Sequence, residues 1–153
     1  MFKEEIIRLC HEKKINNVEF IRMTYLFSKG TFKEIDKYLT ILVQSTFDIY
    51  QEITEIKAQF SELKLLKNGK SYLLLGILGK DCFINISVGT YSENQNHNLH
   101  IEISSTQGLI DFDPENDKAF TGPNQWIDYF EGITINELCV PDYLKEAREE
   151  QKF

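Results

Sequence analysis

The sequence predicts an α+β domain: a mostly antiparallel, open sheet of about six strands with helices packed on one face. Three observations carry this. Residues 71–113 read as consecutive strands separated by turns. Asn68-Gly69 is the strongest hairpin signal in the chain, because both residues tolerate positive φ. Thr31-Phe-Lys-Glu34 is a capping box that starts a long helix at Phe32.

Taken in order, Phe2, Ile6, Leu9 and Cys10 follow helical spacing, so residues 2–13 form an amphipathic helix that Asn16-Asn17 ends. Val18 to Phe27 is rich in β-branched and aromatic residues and reads as a strand. In the capped helix, Ile35, Leu39, Leu42, Thr46 and Ile49 form one stripe through about residue 51, and this helix is expected to lie across the sheet. Residues 53–66 alternate, with Ile56, Ala58 and Phe60 opposite Glu55, Lys57 and Gln59, and are expected to be a half-buried strand. Tyr72 to Leu78 is an apolar run ended by the turn Gly79-Lys80-Asp81. From Cys82 to Tyr91, Cys82, Ile84, Ile86 and Val88 share one face, and Phe83, Asn85, Ser87 and Gly89 the other. Leu99, Ile101 and Ile103 alternate with His100, Glu102 and Ser104, and Thr106-Gln107-Gly108 turns the chain into a last strand. The expected order is a β-α-β start followed by a meander. Beyond Asp113, a short helix over 125–130 and a final helix over 142–150, with Pro141 in its first turn, are expected.

At 153 residues, residues 1–153 are expected to form one domain. The net charge of −7 repels phosphate backbones and argues against nucleic acid. No window approaches the apolar length of a membrane span, and no signal peptide is legible, so a cytoplasmic protein is expected. Met1 leads to the expectation of an independent start. Cys10, Cys82 and Cys139 are an odd, widely spaced set and read as reduced thiols rather than a disulfide framework.

Candidate chemistry is sparse. His97 and His100 sit at a loop and a strand start, where this spacing sends them to opposite faces. His100 and Glu102 share a face, but a zinc site needs a third ligand and His11 is distant, so no metal is expected. Asp111, Asp113, Glu115 and Asp117 imitate a calcium loop until Asn116 stands where Gly is needed and Gly122 where Glu is needed. Asp36 and Asp48 on the long helix have no nucleophile or histidine on their face. Dinucleotide, Walker and nucleophile-elbow glycine motifs are absent from the sequence, and no catalytic residue is assigned.

Several short signatures resemble the C-terminal domain of the Gfo/Idh/MocA oxidoreductases. Lys13-Lys-Ile-Asn-Asn-Val18 resembles the segment leading into that domain's first strand, with Asn16 where Gly is usual. Residues 31–43 resemble the segment that opens its long helix, with Asp36 on the first Asp of the motif. Ile103-Ser-Ser-Thr-Gln-Gly-Leu109 resembles a turn between late strands, with Ser105 for the first Gly, and Pro141-Asp-Tyr-Leu-Lys-Glu-Ala-Arg resembles the last helix. The resemblance implies an open sheet whose free face forms a subunit interface, and a wall of a substrate pocket. The family's histidine falls at Thr40, which cannot do the same acid–base work, and its second aspartate at Val43. The preceding nucleotide-binding domain, its fingerprint and its lysine have no counterpart in these residues.

The resemblance therefore implies a chain that is not an enzyme on its own. It would serve oligomerisation or ligand binding as a homodimer, or with a partner protein, through the open face, with Phe83, Asn85 and Ser87 at the seam. Alternatively it would complete a split NAD(P)-dependent sugar or polyol oxidoreductase. Asp36 and Thr40 would then line the substrate pocket, and NAD or NADP would come with a separate nucleotide-binding subunit; otherwise no cofactor is expected. Outside the resemblance, small α+β domains of this kind also serve as adaptor and immunity proteins.

Overall fold

The computed structural model describes residues 2–28, 32–68, 71–91 and 98–113. The expected helices at 125–130 and 142–150 lie outside the described residues, as do Thr31, His97, Glu115, Asp117 and Cys139. Two helices, α1 (Phe2–Glu12) and α2 (Phe32–Thr54), accompany six strands: β1 (Phe20–Ser28), β2 (Phe60–Asn68), β3 (Ser71–Leu78), β4 (Cys82–Tyr91), β5 (Asn98–Ser105) and β6 (Gly108–Phe112). The strand order is β2-β3-β4-β1-β5-β6. Only the β1–β4 pairing is parallel, so the expected mostly antiparallel sheet with its helices on one face is the fold observed.

The meander is not continuous. β1 lies between β4 and β5 and pairs with both. Alternation fixes which face a side chain takes but not which strand stands next door. Ile21, Met23 and Tyr25 are fully buried, as suits a central strand.

α2 roofs the sheet as expected: Ile35, Leu39, Leu42, Thr46 and Ile49 are all buried. Below them lie Ile21, Met23, Leu74, Cys82, Ile84, Ile86, Val88, Leu99, Ile101 and Ile103. Burial of this apolar surface is the main favourable term in the fold. Thr46 spends its hydroxyl on the Leu42 carbonyl at 2.8 Å, so a polar side chain is tolerated in the stripe. α1 packs on α2 through Ile6 and Cys10, while Arg8 pairs with Glu5 and Glu12 on its exposed side. Its end is sharper than Asn16-Asn17 suggests. Lys14 takes a left-handed φ of 55°, and the Ile15 amide donates to the Cys10 carbonyl at 2.9 Å, closing a Schellman-type cap.

The strand expected over 53–66 starts late. α2 continues to Thr54, because Ile53 sits one turn after Ile49 and is buried with it. Residues 55–59 then form a link with local hydrogen-bond partners. The Ala58 amide donates to Gln51 Oε1 at 2.8 Å, and the Ile56 amide to Thr54 Oγ1 at 3.2 Å. Ile56, expected on the buried face, is 56% exposed. β2 proper begins at Phe60, where a bulge between Phe60 and Glu62 sets the register and Phe60 packs on Phe47 at a ring separation of 5.1 Å. Asn68 is the last residue of β2 and pairs with Ser71, so β2 and β3 are neighbours as the hairpin signal implies, but Asn68 lies in the strand and not in the turn.

Candidate functional site

The helices cover one face of the sheet; the other carries the candidate site. Cross-strand register places its side chains in rows. Lys64, Leu75, Asn85, Arg22, Glu102 and Asp111 stand side by side across all six strands. The next row is Glu62, Ile77, Phe83, Phe20, Ser104 and Leu109, and on the other side lie Leu66, Leu73, Ser87, Thr24 and His100. Two broad depressions mark this face. One, of about 570 Å³, is lined by Phe20, Lys64, Leu75, Ile77, Phe83 and Asn85. The other, of about 380 Å³, is lined by Leu26, Leu66, Leu73, Ser87 and Gly89.

The face is apolar toward β2–β4 and charged at its ends. Phe83 is 55% exposed and Leu109 54%, and both fall in one row of this face. Asn85 Oδ1 is covered yet accepts no hydrogen bond, an arrangement that costs about 1–3 kcal/mol. Thus all three expected seam residues, Phe83, Asn85 and Ser87, lie together on the open face, with Leu75, Ile77 and Phe20 beside them. Sequence reasoning did not name those three: the meander expected β3 beside β4 but not β1, which brings Phe20.

Asp36 and Thr40 lie on the opposite, helical side. Both are half-buried on α2, and Thr40 Oγ1 donates to the Asp36 carbonyl at 2.8 Å. Neither lines the two depressions. Asp48, further along α2, accepts from Gln44 at 2.8 Å and pairs with Lys3 at 3.3 Å, tying α1 to α2.

His100 and Glu102 do share a face, and the third group absent from the sequence reading is Asp111. The β5–β6 hairpin puts Asp111 directly opposite Glu102. His100 Nε2 lies 2.5 Å from Asp111 Oδ1 and 3.5 Å from Glu102 Oε1. Short hairpins bring i and j partners together, so the Thr106-Gln107 turn was the signal that could have found it.

Cys10 and Cys82 are buried free thiols. Burial pushes the Cys10 thiol up to about 11 and the Cys82 thiol up to about 12, which leaves both protonated and unreactive near neutral pH. The glycines whose surroundings are described do not form a phosphate cradle. Gly76 and Gly89 lie within strands, Gly79 in the β3–β4 turn and Gly108 at the start of β6, none at a helix N-terminus. No described helix is long and apolar enough to cross a membrane.

Two of the quoted signatures meet. Gln107 Oε1 accepts from the Asn16 amide at 2.8 Å and the Asn17 amide at 3.3 Å, and Asn17 Nδ2 donates to Thr106 Oγ1 at 3.0 Å. They clamp the α1–β1 link onto the β5–β6 turn, a structural role.

Neither a known family model nor a curated protein matches the chain. Solved structures do. Scyllo-inositol dehydrogenase from Lactobacillus casei, with bound NAD(H) and scyllo-inositol, superposes with a TM-score of 0.53 at 13% identity, covering 72% of this chain and 38% of that one. Myo-inositol 2-dehydrogenase from Lactobacillus plantarum gives 0.53 at 9% identity over 72% and 38%. A Thermotoga maritima protein provisionally assigned as an oxidoreductase gives 0.52 at 17% identity, over 97% of this chain and 50% of that one. The chain thus has the fold of part of the Gfo/Idh/MocA-type oxidoreductases, as the sequence signatures suggested. It spans half the length of these proteins or less.

Proposed function

We propose that this chain is a non-catalytic assembly module whose open sheet face docks a second copy of itself. The observation that carries the reading is the charge order of the central row. Lys64 and Arg22 stand on the β2-to-β1 side and Glu102 and Asp111 on the β5–β6 side. A twofold axis parallel to the strands, between β4 and β1, reverses the row of the second copy. Lys64 then faces Asp111 of that copy, Asn85 faces its Arg22 and Leu75 faces its Glu102, while in the next row Phe83 faces its Phe20. A twofold interface is self-complementary by definition, and the Lys64–Asp111 pairs at the two ends of this row meet that requirement. Arg22 of the second copy would supply the donor that Asn85 Oδ1 lacks. An axis perpendicular to the strands would set β4 over β4 and leave the charges unmatched.

Sedimentation velocity across a concentration series tests this. The wild type is expected to reach dimer mass, and Phe83→Lys to sediment as a folded monomer. A wild type that stays monomeric to its solubility limit overturns the reading, as does a Phe83→Lys variant that dimerises equally well.

A second reading is favoured by the fold shared with an NAD(H)-bound inositol dehydrogenase. The chain would be one half of a split sugar or polyol oxidoreductase, with Asp36 and Thr40 on the pocket wall. The cofactor would arrive on a separate nucleotide-binding protein. Co-purification of such a protein supports this reading; its absence, together with no NADH binding by mixed lysate fractions, removes it.

A further inference from the structure

We infer that His100, Glu102 and Asp111 form a binding site for one divalent first-row transition-metal ion, of the zinc type, on the β5–β6 hairpin. One nitrogen and two carboxylate oxygens from these side chains lie within 4.8 Å of one another. Each is fixed by strand register: Glu102 and Asp111 are direct cross-strand partners, and His100 precedes Glu102 by two residues on the same face. Ligands about 2.0–2.2 Å from zinc stand about 2.8–3.6 Å apart at tetrahedral or octahedral angles. The His100–Glu102 separation of 3.5 Å already meets that requirement. Asp111, at 2.5 Å from His100, needs to withdraw by a few tenths of an ångström, which its 61% exposed side chain allows.

The charge balance also fits. Two carboxylates stand beside Arg22, the cross-strand partner of Glu102, and near Lys13, whose Nζ donates to the Leu109 carbonyl at 2.8 Å, while Thr24 stands opposite His100. Imidazole selects for zinc and its neighbours over magnesium or calcium, and three protein ligands leave a position for water or a further group. The site lies within one chain and does not rest on self-association.

The test is a titration of ZnCl2 by calorimetry into the full chain and into Phe83→Lys, so that metal binding and dimerisation are read separately. One equivalent is expected to bind in the micromolar range to Phe83→Lys, and more weakly to the wild type at dimerising concentrations if Lys64 of the second copy competes for Asp111. His100→Ala, Glu102→Gln and Asp111→Asn are each expected to weaken binding about tenfold or more, as loss of groups at a metal site does. His11→Ala and His97→Ala control for the other imidazoles and are expected to change nothing. No binding tighter than about 1 mM in Phe83→Lys, or any of the three substitutions in that background leaving affinity within tenfold of it, overturns the inference.

Discussion

Reversing one charge at the end of the central row gives the sharpest account of how two copies meet. Lys64 is exposed on the edge strand β2, and the proposed axis sets it over Asp111, exposed on the opposite edge strand β6 of the second copy. The symmetry makes this contact twice in each dimer. An exposed ion pair contributes about 0.2–1 kcal/mol, and Lys64→Glu turns attraction into repulsion at both places. The expected cost is about 1–3 kcal/mol per dimer, or roughly 5- to 150-fold in Kd. Adding Asp111→Lys in the same chain restores the pairing with its sign exchanged, so the double variant recovers most of the loss. Sedimentation equilibrium reads each Kd. In 1 M salt, where the screening length falls to about 3 Å, the difference between Lys64→Glu and wild type shrinks. A Lys64→Glu Kd equal to wild type at low salt, or a double variant weaker than the single one, refutes the axis.

Three further outcomes concern stability. Gly76→Ala puts a Cβ 2.8 Å from Phe60 Cε1 and 3.0 Å from the Glu62 carbonyl oxygen, so urea unfolding should show a loss of about 1–3 kcal/mol; an unchanged midpoint contradicts the packing described. Glu55→Gly relieves a left-handed φ of 58° where α2 ends, and should stabilise the chain by about 0.5–1 kcal/mol in the same assay. The buried thiols give alkaline sensitivity. Their ordinary value of 9.0 is raised to about 11 for Cys10 and about 12 for Cys82, so the protonated form is favoured by folding. That contribution is complete below pH 9 and is lost as pH rises through the folded values. Each thiol adds a slope of about 1.4 kcal/mol per pH unit in between. Unfolding at pH 8 and pH 10 should show the fall, and Cys82→Ala should flatten it.

Local pattern carried much of this fold because each element's apolar residues agree with its period. The α2 stripe from Ile35 to Ile49 and the buried alternation of Cys82, Ile84, Ile86 and Val88 are both readable without coordinates. The pattern misled at 53–59. There Ile53 belongs to a helical stripe and Ile56 to an exposed link, and the side chains of Gln51 and Thr54 hold that link in a non-strand path. Neighbour relations were the other gap. That β1 divides β4 from β5, and so brings Phe20 and Arg22 into the open face, depends on long-range pairing that periodicity does not encode. The same gap hid Asp111 from His100, although the turn that joins their strands was legible. Thr40 illustrates the converse: it was singled out as a departure from a motif, standing where a histidine is expected, and the structure shows its hydroxyl bonded to its own helix.

A spin-label distance tests the central claim most directly. Glu62 is exposed on β2, so a label at Glu62→Cys in a Cys139→Ser background marks one edge of the sheet, while Cys10 and Cys82 stay buried. Five strand spacings of about 4.8 Å separate the two edges, and packed sheets lie about 10 Å apart. The proposed pairing therefore places the two labelled backbones about 26 Å apart, with the label tethers broadening the distribution around that value. Dipolar spectroscopy should find this single distance between two labels per particle. A distance below about 20 Å, as an axis perpendicular to the strands would give, or no second spin at all, contradicts the account.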